Sequence, residues 1–390
     1  MTGLPRTLIV TGHFPPEHGG VQTFTWEFTR RLPPEQIVVV APSWPGDAEF
    51  DAGLDFPVYR RHGYALFAGV RKLVREHRLT TGWITALAPF GLYAPLLRRA
   101  GLSRLVACTH GQELGWIRAW PTRLALRRMS GAVDAVSYLS EATLPELRRG
   151  IDPATPLVQL AGGVHFERFG QADGAEVRRR YRLGDGPVVI SVSRLVRRKG
   201  QDVLLAAWPA VRARCPSAKL LVVGDGPMYG ELLDRAAALD GSVVVTGPVP
   251  PDELAAHYAA ADLFVLPCRD DRRGLQTEGL GLSTLEASAA GLPVIVGRSG
   301  GSPASLLDGE TGLLVEPDRP AAVAEAMLAL LTDPARAAAL GAAGQRWVRE
   351  RWRWEDAADR LIGLLSGTLP ATERVVTTES SRIATGEERP

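Results

Sequence analysis

Apolar runs of four to six residues recur along the chain at Thr7 to Thr11, Ile37 to Ala41, Arg104 to Thr109, Val188 to Val192, Lys219 to Gly224, Val243 to Thr246, Leu263 to Leu266 and Pro293 to Val296. Within each run polar and apolar positions do not alternate, and segments of helical periodicity separate one run from the next. Strands without alternation are buried on both faces, and strands punctuated by helices build parallel sheets with helices on either side. The pattern predicts an α/β protein with two doubly wound, Rossmann-like parallel-sheet domains.

A boundary is expected between Gly162 and Gly184, where Ala161-Gly-Gly-Val-His-Phe-Glu-Arg-Phe leads into a polar helix and the turn Gly184-Asp-Gly-Pro before a new strand at Val188. The expected division is 1–168 for the first domain and 169–351 for the second. Residues 321 to 365 are Ala- and Leu-rich at helical spacing and carry Trp347, Trp352 and Trp354. The tail 367–390 is rich in Thr, Ser, Glu and Arg without apolar periodicity, the signature of a segment that does not fold.

Length agrees with two domains, since 390 residues exceed what one core usually organises. The formal net charge of +2 conceals an asymmetry: residues 1 to 165 sum to +5 and the rest to −3. A bias this small excludes a nucleic-acid stripe but is compatible with an anionic membrane surface. Three cysteines, Cys108, Cys215 and Cys268, have neither metal-ligand spacing nor a disulfide framework, which suits a reducing, cytoplasmic setting. The start of the chain is unlike a signal peptide, and no run reaches the roughly 18 apolar residues of a membrane span.

The densest chemistry lies in Glu278-Gly-Leu-Gly-Leu-Ser-Thr-Leu-Glu286. Gly279 and Gly281 keep Glu278 in a loop, while Glu286 falls inside a helix expected to begin around Ser283 or Thr284. Free N–H groups and the positive dipole end at that helix start suit a diphosphate. Ser193-Arg194-Leu-Val-Arg-Arg-Lys199-Gly200 follows the first strand of the second domain, at the sheet edge where such folds bind ligands. Arg194 and Lys199 are the candidates to neutralise the diphosphate, the first by paired donors and the second as a compact charge.

In the first half, Gly19 and Gly20 open a helix after the first strand and permit close backbone approach to a ligand; taken alone, such a turn is as often structural. His110 follows a strand directly, which places it at the rim of the sheet. Two patterns are set aside. Gly224-Asp-Gly226-Pro resembles a dinucleotide fingerprint, but no acidic residue ends the strand Val243 to Thr246 to hold a ribose. Gly297-Arg-Ser299-Gly-Gly301 has a hydrolase nucleophile pattern, but the last histidine, His257, precedes Ser299. No spacing supports a divalent metal site.

Taken in order, Gly19-Gly20, His110-Gly-Gln-Glu, Gly162-Gly-Val, Ser193-Arg-Leu with Lys199-Gly, Gly224-Asp-Gly-Pro and Glu278 with Glu286 resemble the retaining glycosyltransferases of family four. The resemblance implies the GT-B architecture: two Rossmann-like domains facing a cleft, an acceptor-binding N-terminal domain, a nucleotide-sugar-binding C-terminal domain, and a last helix, here about 352–366, crossing back to the first domain. Carried over by position, His110, Arg194, Lys199 and Glu278 would be catalytic. Gly19, Gly20, Arg194, Lys199, Gly224, Gly279, Leu280, Gly281, Leu282 and Glu286 would bind the donor, with Glu286 on the ribose and no cofactor or metal required.

Arg269-Asp-Asp-Arg-Arg-Gly-Leu-Gln-Thr-Glu278 is similar to a loop of actinobacterial phosphatidylinositol mannoside mannosyltransferases. That likeness implies GDP-mannose as donor and a glycolipid at the inner membrane face as acceptor. A UDP-sugar with a soluble acceptor, and a non-catalytic nucleotide-sugar-binding protein, stay open as alternatives. The segment Leu66 to Arg78 has apolar residues at helical spacing beside Arg71, Lys72, Arg75 and Arg78. It fits an interfacial membrane helix or a helix packed on its own sheet.

Overall fold

The computed structural model describes residues 3–17, 19–61, 67, 69–270 and 277–369. The chain divides into a first unit, Met1–Gly162 with Trp354 onward, and a second, Gly163–Arg353. The second unit thus begins at Gly163 rather than at residue 169.

The first unit contains seven strands: β1 Thr7–Val10, β2 Ile37–Pro42, β3 Val58–Arg61, β4 Thr81–Ile84, β5 Arg104–Cys108, β6 Ala135–Tyr138 and β7 Leu157–Gln159. They form one sheet in the order β3-β2-β1-β4-β5-β6-β7, every pair parallel. Alternate residues supply two separate cores: Leu8, Val10, Val38, Val40 and Ile84 on one face, Ile9, Val39, Ala41, Trp83 and Val106 on the other. Burial on both faces explains why the strands read as unbroken apolar runs.

The second unit has six strands: β8 Val188–Val192, β9 Lys219–Val223, β10 Val243–Val245, β11 Leu263–Leu266, β12 Val294–Gly297 and β13 Gly312–Val315. Their order is β10-β9-β8-β11-β12-β13, again all parallel. Each sheet therefore reverses its winding once, between β1 and β4 and between β8 and β11. In open α/β sheets the carboxyl ends of strands at such a reversal leave a crevice for ligands.

Five strands escape the apolar-run pattern. β3 ends in Arg60 and Arg61 at the sheet edge, β4 contains Gly82, β6 contains Ser137, β7 is three residues long, and β13 begins with Gly312. Short strands with one polar or glycine position give no periodic signal of their own and depend on paired neighbours.

The final helix, Trp354–Ser366, belongs to the first unit. Trp354, Leu361, Leu364 and Leu365 join the core face that holds Phe28 and Trp83, and the Phe28 and Trp354 rings meet edge-on at 5.4 Å. Arg104 Nε donates to the Leu364 carbonyl and Arg360 Nε to that of Gln159. Gly162 is required by this arrangement: a Cβ there would stand 2.8 Å from the Trp354 ring.

The helix Val70–Glu76 turns Val70, Leu73 and Val74 into the first unit's core, and Phe67 stacks on Tyr93 with ring centroids 3.7 Å apart. Its apolar stripe is therefore consumed by its own sheet, which decides between the two expectations in favour of a helix packed on its own sheet. Leu66 and Ala68, like the tail from residue 370, lie outside the described residues. No helix among the described residues is long and apolar enough to cross a membrane.

Candidate active site

In the second unit, the loop after β8 and the loop after β11 meet at the winding reversal. Lys199 and Gly200 end a single 3-10 turn, Arg197–Lys199, and Gly200 caps the helix Gln201–Arg214 at φ 74°. A Cβ on Gly200 would lie 2.0 Å from the Pro267 carbonyl oxygen just beyond β11. Glycine is thus demanded twice, by the left-handed backbone and by the contact. The Arg269 N–H donates to the Arg198 carbonyl, and the Arg269 guanidinium pairs with Asp202 at 2.7 Å, fastening the two loops together.

This scaffold presents two cations to one carboxylate. Glu278 Oε2 lies 2.6 Å from Lys199 Nζ and 2.6 Å from Arg198 Nη1. Glu278 and Lys199 are both buried, at 9% and 8% exposure, so the pair is largely shielded from water. Burial by itself pushes the Glu278 pKa up, but the charges and hydrogen bonds of Lys199 and Arg198 outweigh it and hold the carboxyl below its ordinary value. The Cys268 thiol beside it is pushed up to about 12 by burial and stays protonated, an S–H donor 3.8 Å from Glu278 Oε2.

Glu278 is held by backbone as well. Its carbonyl accepts from the Gly301 N–H at 2.7 Å, and a Cβ on Gly300, at φ 50°, would come 2.5 Å from that same oxygen. The Gly297-to-Gly301 segment that resembled a nucleophile elbow is therefore the backing of the Glu278 loop, with Ser299 Oγ donating to Asp270. Gly224 has a comparable role: a Cβ there would stand 2.0 Å from the Ser193 carbonyl oxygen, and one on Gly226 would stand 2.5 Å from that of Leu195. The Gly224-Asp-Gly226 turn thus shapes the Ser193-to-Leu195 loop by backbone approach.

The helix after Glu278 runs Leu282–Ala289, starting earlier than the expected Ser283 or Thr284, with Gly281 as its left-handed cap at φ 94°. Gly279 and Leu280 form the loop between, Leu280 buried and Gly279 partly so. At the helix start Thr284 Oγ1 is buried without a hydrogen-bond partner among the described residues. Glu286 follows four residues after Leu282. Its Oε2 accepts from Tyr258 Oη at 2.9 Å, and burial raises its pKa to about 7 despite that bond and the nearby Arg168.

Arg194 sits on the same loop as Lys199 but is exposed. The cation that holds Glu278 alongside Lys199 is Arg198, a residue the spacing alone did not single out. The run Arg197-Arg198-Lys199 presented three adjacent cations, and only the tight turn decides which side chains point inward. Residues 271–276, which complete the arginine-rich loop before Glu278, lie outside the described residues.

In the first unit, His110 stands one strand beyond the reversal between β1 and β4. It follows β5, and its Nε2–H donates to the carbonyl of Thr85, just past β4, at 2.6 Å. That bond fixes the neutral tautomer and leaves Nδ1 as a lone-pair acceptor. Burial lowers the His110 pKa to about 4, so the ring is neutral at pH 7. Phe24 packs edge-on against it at 4.9 Å.

Glu113, quoted in the His110 motif but given no part by spacing, is its anchor. Its Oε2 accepts the His110 backbone N–H at 3.0 Å, and the N–H groups of Gly111, Ala88 and Glu113 itself also reach its carboxylate. Gly19 and Gly20 stand at the start of the helix Gly20–Thr29 after β1. A Cβ on Gly19 would meet Gln22 Oε1 at 2.3 Å, whereas Gly20 faces open space. Gln22 Nε2 in turn donates to His13 Nδ1 at 3.2 Å.

Both units thus place their polar groups at the carboxyl edges of parallel strands, at or beside the one reversal in each sheet. Comparison with known proteins agrees. The sequence pattern of Glycosyltransferase Family 4 matches residues 18–168, and that of Glycosyl transferases group 1 matches residues 186–333. The chain is 43% identical over 381 residues to a Mycobacterium tuberculosis protein named GDP-mannose-dependent alpha-(1-6)-phosphatidylinositol monomannoside mannosyltransferase, covering 93% of this chain and 99% of the relative. It is 36% identical over 377 residues to the Corynebacterium glutamicum GDP-mannose-dependent monoacylated alpha-(1-6)-phosphatidylinositol monomannoside mannosyltransferase, covering 94% and 99%. Anabaena HepE, solved with UDP and glucose, shares the fold at a TM-score of 0.77 and 19% identity, over 93% of this chain and 99% of that one. With both halves matched in order and the relatives matched over nearly their whole length, the chain belongs to the family-four glycosyltransferases of GT-B fold.

Proposed function

We propose that this protein transfers mannose from GDP-mannose, with retention at the anomeric carbon, to a hydroxyl of a phosphatidylinositol-type glycolipid. The mannosyl donor and lipid acceptor rest on the whole-length identity to relatives so named. The chemistry rests on one observation above all: Glu278 held between Lys199 and Arg198 at the carboxyl ends of β8 and β11.

In this reading Lys199 and the exposed Arg194 take the diphosphate, and Glu286 accepts hydrogen bonds from the ribose hydroxyls. Glu278, with the backbone of Gly279 to Leu282, fixes the sugar. The bond from the anomeric carbon to the diphosphate oxygen breaks as the acceptor oxygen bonds to that carbon on the same face, and the acceptor proton passes to the leaving diphosphate. Stabilising the departing charge then dominates the barrier, which preorganised cations accomplish where water is excluded. No opposed pair of carboxylates is needed, in contrast to glycoside hydrolysis.

The test incubates the protein with GDP-mannose and with UDP-sugars in the presence of phosphatidylinositol mannosides, and identifies products by mass. Mannosylated lipid is expected from GDP-mannose, with transfer abolished in folded Lys199→Ala and Glu278→Ala variants. Turnover of a UDP-sugar in place of GDP-mannose, or full activity in both variants, overturns the reading.

A further inference from the structure

Glu286, the carboxylate assigned to the ribose, has a single hydrogen-bond donor among the described residues, the Tyr258 hydroxyl, 2.9 Å from Oε2. The same Oη lies 3.2 Å from the Ser283 carbonyl oxygen, one turn earlier on the Glu286 helix. A phenol carries one hydrogen, and an ionised Glu286 and the Ser283 carbonyl both accept. Tyr258 therefore serves one of them at a time. When Glu286 holds a proton the conflict disappears, because the carboxyl donates to Oη and Oη donates on to Ser283.

Tyr258 is placed for such a turn of its O–H. Its side chain is 0% exposed, and its ring is held edge-on against Phe169 at 5.5 Å and beside Phe264 at 6.1 Å. The ring stays in place while the hydroxyl hydrogen rotates about the Cζ–Oη bond. Ser283 loses little when that hydrogen leaves, since its carbonyl, inside the helix, also accepts the N–H four residues on. Glu286 gains most from the donor when charged, because charge-assisted bonds are the stronger ones. Its other oxygen, Oε1, has no partner among the described residues and is left for a ligand.

Few other charges face this carboxylate. Arg168 and His165 approach it from the segment that runs into Phe166–Gly170, which packs on the Glu286 helix. The helix Pro334–Arg351 packs there too, but sends Gln345 to the Ala289 carbonyl and lays Arg349 over the Phe166 ring. β11, β12 and the turn Ser302–Ser305 bring no titratable side chain. His257, next to Tyr258, is bonded elsewhere, its Nδ1–H donating to the Glu253 carbonyl.

We infer that Tyr258 is a positioning residue for donor binding, whose hydroxyl turns from Ser283 to Glu286 as the ribose takes Oε1 and Glu286 gives up its proton. This deepens the donor-site reading and rests on its placing Glu286 on the ribose. Before binding, the proton sits on Oε2 and the Tyr258 O–H points to Ser283. Afterwards the carboxylate accepts from Tyr258 at Oε2 and from the ribose diol at Oε1, and the proton is in the buffer. Burial that raises the Glu286 pKa to about 7 keeps the protonated form populated near neutrality.

The test titrates GDP-mannose calorimetrically into the full chain, without acceptor lipid, between pH 6 and 8.5 in buffers of different ionisation enthalpy. The donor itself has no phosphate that titrates in this range. About one proton should be released per donor bound at pH 6 and almost none at pH 8.5, and Glu286→Gln should remove that release. Tyr258→Phe, which keeps the ring packing, should move the affinity–pH curve up by about one pH unit, the difference between losing a charge-assisted and a neutral bond. Affinity should thus fall about tenfold at pH 6 and recover nearly fully at pH 8.5. A tyrosine that only fills space would lower affinity equally at every pH. The proposal is overturned if the wild type releases no proton at pH 6, a count that stands whether or not the variant folds. It is also overturned if the Tyr258→Phe curve coincides with that of the wild type or drops uniformly; weaker binding by Glu286→Gln would then still leave Glu286 on the ribose. Unchanged GDP-mannose affinity in Glu286→Gln rejects the ribose reading itself, and the proposal with it.

Discussion

Lys199 Nζ lies 2.6 Å from Glu278 Oε2, and Arg198 reaches the same oxygen, so one carboxylate faces two cations in a buried setting and the cluster keeps one positive charge. A diphosphate that recruits Lys199 need not strand Glu278, because Arg198 remains as its partner. Arg198 is on this view a positioning residue rather than one that touches the donor.

Arg198→Ala should therefore lower kcat more than it raises KM for donor, and the acid limb of the pH–rate profile should move to higher pH as Glu278 loses a cation that depresses its pKa. Loss of one charge-assisted hydrogen bond to a buried carboxylate corresponds to about 1.5–3 kcal/mol. Arg198→Lys should restore part of the rate. An unshifted acid limb in Arg198→Ala would remove Arg198 from this role.

Glu286 has its pKa raised to about 7 by burial, so near neutral pH it is only partly ionised. A ribose diol donates to a carboxylate better than to the acid, so nucleotide affinity should rise as pH goes from 6 to 8. Stability should move the opposite way. With its folded pKa raised, Glu286 contributes most below its ordinary value and loses that contribution as pH rises through about 7. Calorimetric titration of GDP across this range is the check, and Glu286→Gln should flatten it.

Gly200→Ala is expected to destabilise the second unit by at least ~2 kcal/mol, because a left-handed φ and a backbone contact both act against a Cβ. Urea unfolding measures this directly. Ala at Gly230, where a Cβ meets nothing within 4 Å, serves as the control and should be near neutral.

Glu113→Ala leaves several backbone N–H groups around His110 without their acceptor. Each such buried donor costs about 1–3 kcal/mol when unpaired, so the loop should loosen. Transfer should fall at least about tenfold while GDP binding is unchanged, since Glu113 and the nucleotide residues belong to different units. Glu113→Gln, which keeps one acceptor, should retain more activity than Glu113→Ala.

Transfer should also survive chelation of divalent cations if Lys199 and Arg194 supply the charge that the diphosphate requires. Loss of activity in EDTA, restored by magnesium or manganese, would assign that work to a metal.

Much of this was readable in the chain. The unbroken apolar runs predicted doubly wound parallel sheets because strands covered on both faces have no polar side to display. Gly279 and Gly281 placed Glu278 in a loop and Glu286 in a helix for a local reason: glycine disfavours a helical turn and then caps the next one. Lys199 and His110 were singled out as candidates by position after a strand, since parallel sheets expose the carboxyl ends of their strands.

What tertiary structure decided is which neighbours those residues acquire. Three cations in a row could not say that Arg198 and Lys199, and not Arg197, meet Glu278; a 3-10 turn fixed by Gly200 against Pro267 makes that choice. Glu113 looked like one more charge until the fold wrapped backbone donors around it. The helices Val70–Glu76 and Trp120–Ser130 are both amphipathic with arginines nearby, and composition cannot rank them. Burial separates them: the first spends its apolar side on the core, while the second keeps Trp120 and Leu124 in solvent because Leu126 and Met129 already fill the space beneath. Residue type and local spacing set the chemistry available, and packing across distant parts of the chain selected which of it remains free to act.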